Sequence, residues 1–312
     1  MAGRIANIKN NFYDLGTSNT SFIQLSRDLK VLGVKNYYFP LLIYDWTLIN
    51  IDPYSVDEDG VCNLSRDQVS RVMIECARNP WYYLREICHI PDQGGNFVRY
   101  RANRGNIAQA YCIIKGLDSW LCLPRQQGKT VSALALQTWA YLFGTTNSKF
   151  IFVNKDGPNA KANLKSMRDQ IDLLPKYMQS RFIVNEDGKV IKAKENATEL
   201  GNPINGNSIV IKNKATSYDQ ALSLARGLTA PILHFDEPEF TKHIKTIISN
   251  SVSTYETAAL NAKRNHAMYA RIFTCTPKNP LKNTLGVKDS NIFKQNSVNC
   301  WELLRDNQQH VI

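Results

Sequence analysis

The segment Leu123–Thr130, Leu-Pro-Arg-Gln-Gln-Gly-Lys-Thr, constrains this chain more than any other. It overlaps the short apolar stretch Trp120–Leu123 and precedes a helical pattern that begins at Val131. A Gly-Lys-Thr run between a strand and a helix is typical of a phosphate-binding loop, because backbone N–H groups and the helix N-terminus then point at the phosphates. Lys129 would supply a positive charge, and the Thr130 hydroxyl would supply a ligand for magnesium.

The loop departs from the usual pattern at one position. A glycine is expected five residues before Gly128, and Leu123 stands there instead. Taken alone, the motif also fits an ordinary loop with a threonine that begins a helix.

A second motif, Ile232–Pro238, is an apolar strand that ends in two carboxylates. Asp236 could hold a magnesium ion through water, and Glu237 could orient or deprotonate an attacking water, which is what nucleotide hydrolysis requires. The alternative is the solvated end of a strand. The order and spacing of the two motifs, each with a strand before it, favour one joint site for phosphate binding and hydrolysis.

The composition indicates a globular protein with an anionic partner. The chain has 312 residues, 43% hydrophobic and 21% charged, with a net charge of +11. Such a charge favours binding to a polyanion such as nucleic acid, although a basic surface without a partner is the alternative. Basic residues recur near the two motif strands, at Lys155, Lys161, Lys165, Arg168, Lys242, Lys245, Lys263 and Arg264.

Neither membrane insertion nor a metal centre is indicated. No apolar run approaches the roughly 20 residues that span a bilayer, and no secretory signal begins the chain, so we expect a cytoplasmic location. The seven cysteines form no Cys-x-x-Cys pair, which predicts reduced thiols. The five histidines, including His234, are expected to be packing or surface residues, and magnesium is the only metal predicted.

Strands and helices alternate after residue 119, which predicts an α/β fold with a mainly parallel sheet flanked by helices. Between residues 182 and 213 the pattern becomes β-rich, as in an inserted hairpin with turns at Gly188 and Asn205-Gly206. The strands are predicted at Trp120–Leu123, Lys149–Val153, Ser208–Lys212, Pro231–Phe235 and Tyr269–Phe273, and the helices at Val131–Phe143, Ala160–Leu174 and from Glu239 onward.

Two domains are predicted. Residues 1–95 form an N-terminal helical subdomain or lid, in which Ser65 and Gln68 make a capping box for a helix that ends before Pro80. Residues 96–312 form the phosphate-loop core, with the β-rich insertion near 182–213.

With these motifs in order, the chain resembles the ATPase domain of the large terminase subunit, the motor that packs double-stranded DNA into the heads of tailed phages and related viruses. The resemblance implies a P-loop NTPase fold of the RecA-like (ASCE) type. It covers roughly residues 75–280 and is carried by Asn79–Tyr82, Arg125–Thr130, Ala225–Gly227, Ile232–Glu237 and Thr274–Pro277.

The resemblance assigns a role to each site residue. Lys129 and Thr130 would bind ATP and magnesium, Asp236 would hold the metal through water, and Glu237 would be the catalytic carboxylate. Arg125 would be a second catalytic group, an arginine finger, unless it only holds the loop by hydrogen bonds. The nucleotide-binding set is completed by Gln126, Gln127, Gly128 and Gln109, and the coupling motif that relays hydrolysis is Thr274, Cys275 and Thr276.

Several of these roles have alternatives. Gln109, with Asn106 as the second candidate, would recognise adenine, or it would be an amide on the helix surface. The threonines at 274 and 276 could simply form a turn before Pro277.

The family context also implies partners. These are double-stranded DNA, the portal protein and the small terminase subunit, with a possible ring of five copies at the procapsid portal vertex in the host cytoplasm. The family's C-terminal nuclease domain is not expected here, since only 35 residues follow Pro277.

Two other functions fit the same motifs. A helicase or translocase of superfamily 2 shares the Gly-Lys-Thr and Asp-Glu signatures, but it needs a second motor domain. A degenerate nucleic-acid-binding module would share the fold without hydrolysing ATP.

Overall fold

The computed structural model describes residues 43–92, 94–102, 104–122, 126, 128–179, 182–212 and 215–276. These residues form two compact units. The first contains residues 43–104 and 168–179, and the second contains residues 105–167 and 182–276. The proposed lid at residues 1–95 lies partly outside the described residues, so its role stays a prediction.

The first unit is built around the helix α1 (Arg66–Arg78). The predicted capping box is confirmed, because the Ser65 side chain accepts from the Gln68 N–H while the Gln68 side chain accepts from the Ser65 N–H. Asn79 then accepts from two backbone N–H groups of the next helical turn. The other elements are 3-10 turns at Trp46–Asn50 and Lys176–Met178, helical turns at Pro80–Tyr82 and Tyr83–Ile87, and the antiparallel strands β1 (His89–Pro91) and β2 (Phe97–Arg99).

The second unit carries a sheet of seven strands in the order β3-β11-β10-β4-β9-β8-β7. The first five of these strands are parallel neighbours, whereas β8 and β7 are antiparallel. A separate hairpin contains β5 and β6. The strands are β3 (Ser119–Cys122), β4 (Lys149–Asn154), β5 (Phe182–Val184), β6 (Val190–Lys192), β7 (Lys194–Asn196), β8 (Glu199–Gly201), β9 (Ser208–Lys212), β10 (Ile232–Asp236) and β11 (Ala270–Cys275).

Helices cover both faces of this sheet, which confirms the predicted α/β class. Leu233 and Phe235 of β10 pack with Ile247 of one helix, while His234 on the opposite face contacts Gln137 of another. All five residues of β10 are buried, as expected for a central parallel strand. The helices are α2 (Arg104–Ile114), α3 (Lys129–Trp139), α4 (Gly157–Asp172), α5 (Tyr218–Arg226) and α6 (Ile244–Arg264), with short helical turns at Ala140–Gly144 and Pro238–Phe240.

The structure moves several predicted boundaries. Helix α3 begins at Lys129 rather than Val131, because Gly128 adopts a left-handed conformation (φ 70°) that turns the chain into the helix. Strand β3 begins at Ser119, and Leu123 lies outside the described residues. The Asn205-Gly206 turn joins β8 to β9, and β9 pairs with β4, so this part of the β-rich segment belongs to the main sheet.

Aromatic rings tie together three strands of the sheet. Trp120 stacks on Phe273 with 4.2 Å between ring centroids, and Phe273 stacks on Phe235 at 4.9 Å. This row crosses β3, β11 and β10 and so connects the strand that precedes the Gly-Lys-Thr loop to the centre of the sheet. Within the described residues, no helix is long and apolar enough to cross a bilayer.

Candidate active site

The carboxyl ends of β3, β10 and β11 meet at one edge of the sheet, beside the first turn of α3. In this kind of fold, ligands bind where the strand order reverses, at the carboxyl ends of the strands. The chain passes from β3 to β4 across two intervening strands, β11 and β10, so this edge meets that condition.

Lys129 lies at the first position of α3 and is 8% exposed. Its ammonium donates to Thr276 Oγ1 at 2.7 Å and lies 3.5 Å from Glu237 Oε1. A positive charge is thus held at a helix N-terminus, and both features favour an anion.

Asp236 ends β10 and has four hydrogen-bond donors around its carboxylate. Thr130 and Thr274 donate to Oδ1 at 3.0 and 2.6 Å. Asn154 and Asn163 donate to Oδ2 at 3.3 and 3.2 Å. The sequence motifs predict Thr130 and Asp236 but not the two asparagines, which come from the end of β4 and from α4.

Glu237 follows β10 in a left-handed conformation, with φ 52° and ψ 53°. Its N–H donates to the Thr274 carbonyl at 2.7 Å, and its Oε1 accepts from Thr276 Oγ1 at 2.8 Å. A non-glycine residue in this region is strained, and such strain is concentrated at functional sites. The left-handed turn takes Glu237 out of the regular side-chain alternation of β10. As a result, its carboxylate lies beside the Lys129 ammonium.

Thr276 bridges Lys129 and Glu237, and Thr274 contacts Asp236, so two predicted coupling residues contact the site. Cys275 between them is fully buried at the end of β11. Both hydroxyls donate to carboxylates, and the coupling role of these threonines stays a prediction.

His234 lies on the same face of β10 as Asp236 and is 1% exposed. Its Nε2 is 2.9 Å from Thr274 Oγ1, and its Nδ1 is 2.9 Å from Gln137 Nε2. Burial lowers the pKa of His234 to about 4, while the charge of Asp236 acts in the opposite direction. His234 is therefore a core histidine, one of the two predicted kinds, and its hydrogen bonds lead to the site.

Gln109 is 4% exposed, and neither atom of its amide has a hydrogen-bond partner among the described residues. Three residues earlier on α2, Asn106 lies beside the loop, since a Cβ on Gly128 would be 3.5 Å from its Nδ2. Ser132 Oγ in α3 is likewise buried without a partner in the described part of the chain. Unpaired buried polar groups cost free energy, which is consistent with a ligand that pairs them.

Other predicted residues are less informative. Gln126 is exposed with φ 62°, and Arg125 and Gln127 lie outside the described residues. Among the basic side chains, Lys155 lies over the Phe240 ring and Lys242 donates to a backbone carbonyl. Lys161 and Lys165 are exposed one turn apart on α4.

Among known proteins, the chain is similar to several solved structures. No protein-family description matches the chain, and no curated protein matches it either. The chain is similar to the large terminase of a thermophilic bacteriophage, with a TM-score of 0.42 and 12% identity over 62% of this chain. That match spans 43% of the terminase, less than half its length.

A second similarity is to the large terminase ATPase domain of Thermus phage P74-26. This match has a TM-score of 0.38 and 17% identity, and it covers 61% of this chain and 72% of that domain. A mutant of the same domain gives a TM-score of 0.39. We assign the P-loop fold from the strand order and from the left-handed Gly128 and Lys129 at the start of α3.

Proposed function

We propose that this chain is the ATPase motor domain of a viral large terminase, which couples ATP hydrolysis to the movement of double-stranded DNA into a procapsid. The observation that carries the proposal is the convergence of Lys129, Thr130, Asp236 and Glu237, from two distant motifs, at one edge of the sheet.

The triphosphate would bind at the N-terminus of α3. Lys129 neutralises phosphate charge there, and backbone N–H groups of the first helical turn donate to phosphate oxygens. The unpaired amide of Gln109 offers one donor and one acceptor, which matches the edge of adenine.

Magnesium fits the donor set of this site. Thr130 Oγ1 and Asp236 Oδ1 are oxygen donors 3.0 Å apart, and magnesium prefers oxygen ligands of this kind. When bound, magnesium neutralises the charge that develops on the β- and γ-phosphates. The asparagines at 154 and 163 hold the other carboxylate oxygen of Asp236 and so fix its orientation.

We expect Glu237 to activate the attacking water. As a general base, it takes a proton from the water that attacks the γ-phosphorus, and the bond to the β,γ-bridging oxygen breaks to release ADP and phosphate. Its left-handed turn and its Thr276 hydrogen bond hold the carboxylate beside Lys129, at the phosphate end of the site.

Coupling would pass through β11. Thr276 contacts both Lys129 and Glu237, so loss of the γ-phosphate alters both of its hydrogen bonds. Arg125 in the loop would stabilise the charge of the transferred phosphoryl group, in its own or a neighbouring subunit.

DNA binding follows from charge. The net charge of +11 and the exposed Lys161 and Lys165 of α4 favour the phosphate backbone of a duplex without sequence preference. A portal protein, a small terminase subunit and a ring of five copies remain parts of this proposal, as does a location at the portal vertex.

Three assays on one preparation test the proposal. We expect ATP hydrolysis, displacement of a triplex-forming strand from duplex DNA, and no separation of the duplex strands. The Lys129→Ala variant is the control for each assay. Duplex unwinding would favour the helicase alternative, and DNA binding without ATP turnover would favour the binding module. Packaging of DNA by cognate procapsids is the final test.

A further inference from the structure

Four buried or nearly buried side chains form one line of hydrogen bonds that ends at the metal-site carboxylate. The line runs from Gln137 of α3 to His234, then to Thr274 and then to Asp236, with separations of 2.9, 2.9 and 2.6 Å. The first three side chains are at most 1% exposed, so water cannot replace any of the bonds between them.

The direction of each hydrogen bond follows from one backbone carbonyl. Gln137 Nε2 lies 3.0 Å from the Ala133 carbonyl oxygen, which can only accept, so this atom is the amide nitrogen. The second hydrogen of the same nitrogen points at His234 Nδ1, which must therefore accept. A neutral His234 then carries its proton on Nε2.

The same logic fixes Thr274. Its hydroxyl has a single proton, and His234 Nε2–H donates to its oxygen. The proton of Thr274 is therefore free to be donated to Asp236 Oδ1 at 2.6 Å. With the opposite tautomer, Nε2 of His234 would be an acceptor and would compete with Asp236 for that proton.

We propose that His234 is a positioning residue for ATP hydrolysis: its Nε2–H orients the Thr274 hydroxyl so that Asp236 is held in the conformation that supports magnesium binding. This inference rests on the proposed function. Gln137 selects the tautomer, and Phe152 packs against the imidazole ring at 5.5 Å between centroids.

Partners behind the ligands of a metal typically affect metal affinity or activity by about 10-fold to 100-fold. His234→Phe keeps a ring of similar shape and removes both nitrogens. It should weaken the effect of magnesium on nucleotide affinity by about 10-fold or more. His234→Gln places an amide nitrogen near the position of Nε2, and we expect it to recover most of this loss.

The first experiment uses the full chain without nucleotide or metal. Long-range 1H–15N NMR reports which nitrogen of His234 carries the proton, and the His234→Phe variant identifies the signal among the five histidines. We expect the Nε2–H tautomer. The Nδ1–H tautomer would overturn the inference whatever the function of the chain.

The second experiment measures AMP-PNP affinity by calorimetry with magnesium and with EDTA, for wild type, His234→Phe, His234→Gln, Thr274→Val and the His234→Phe/Thr274→Val double variant. If His234 acts through Thr274, the double variant loses no more magnesium dependence than Thr274→Val alone. Thr138→Val is the matched control, because Thr138 is a buried threonine of α3 that donates to the backbone carbonyl of Leu134.

The outcomes separate the two claims. Wild type that binds AMP-PNP with magnesium, together with a His234→Phe variant of unchanged magnesium dependence, overturns the positioning role alone. Additive losses in the double variant overturn it as well. A folded wild type that does not bind AMP-PNP overturns the proposed function and this inference together.

Discussion

The Thr276 hydroxyl accepts a hydrogen bond from Lys129 Nζ at 2.7 Å and donates one to Glu237 Oε1 at 2.8 Å. One hydroxyl at the end of β11 thus joins the Gly-Lys-Thr helix to the carboxylate after β10. The three residues come from three separate segments of the sequence, and their contact defines the candidate active site.

Replacement of Lys129 should abolish tight nucleotide binding. Hydrogen bonds to charged groups are worth about 1.5–3 kcal/mol, so Lys129→Ala should weaken ATP binding by about 10-fold to 100-fold. Isothermal titration calorimetry measures this directly. Lys192→Ala is the control, since Lys192 is exposed on β6. Normal ATP affinity in Lys129→Ala would contradict the phosphate-loop assignment.

Asp236→Asn should reduce both magnesium-dependent binding and stability. Asp236 accepts hydrogen bonds at both oxygens, whereas asparagine offers one oxygen and turns an amide donor towards existing donors. The buried donors that lose their acceptor should lower the free energy of unfolding by about 1–3 kcal/mol, as measured in urea. Asp187→Asn, in the exposed turn between β5 and β6, should have little effect. Full magnesium dependence in Asp236→Asn would count against its role.

The left-handed conformation of Glu237 reverses the usual order of two substitutions. Left-handed backbone costs an alanine roughly 1 kcal/mol more than a glycine. Glu237→Gly should therefore be more stable than Glu237→Ala by about 1 kcal/mol, although both variants should lack ATP turnover. Chemical unfolding of the two variants measures the difference. An alanine variant that is the more stable of the two would rule out the left-handed turn.

Stability should depend on pH through His234. Its pKa is lowered to about 4 in the folded chain from an ordinary value of 6.5, so the unfolded chain binds the proton first as the pH falls. This residue therefore has no effect above pH 6.5, and it removes up to about 3 kcal/mol of stability as the pH falls towards 4.

His234→Phe lacks this loss, because phenylalanine does not titrate. Relative to wild type, the variant should gain stability between pH 7.5 and pH 4.5 when both are unfolded in urea without nucleotide. Acidic groups that do not interact with His234 titrate alike in both proteins and cancel in the comparison, whereas Asp236 interacts with His234 and does not cancel. A constant difference across this range would show that His234 is not held neutral.

Much of the fold could be predicted from the sequence, since strong local patterns specify it. The apolar run before Asp236 and the capping box at Ser65 act over a few residues, and both appear in the structure. The start of α3 could not be set as well, because a left-handed Gly128 allows the helix to begin two residues earlier than its apolar pattern suggests.

The partners of Asp236 were harder to predict. Asn154 and Asn163 belong to no motif, and only the packing of β4 and α4 beside β10 brings them to Asp236. One signal was available, because Asn154 ends β4 in register with Asp236 of β10. Polar residues that end adjacent parallel strands converge at one edge of the sheet, and this rule could have identified Asn154.

The most direct test of the central claim is ATP turnover and ATP affinity measured together on Glu237→Gln. Glutamine keeps the size of the side chain and can still accept from Thr276, but it cannot act as a base. We predict that ATP binds with near-normal affinity and that hydrolysis falls by orders of magnitude, while the neighbouring control Glu239→Gln hydrolyses ATP normally. A Glu237→Gln variant that hydrolyses ATP at the wild-type rate would contradict the account.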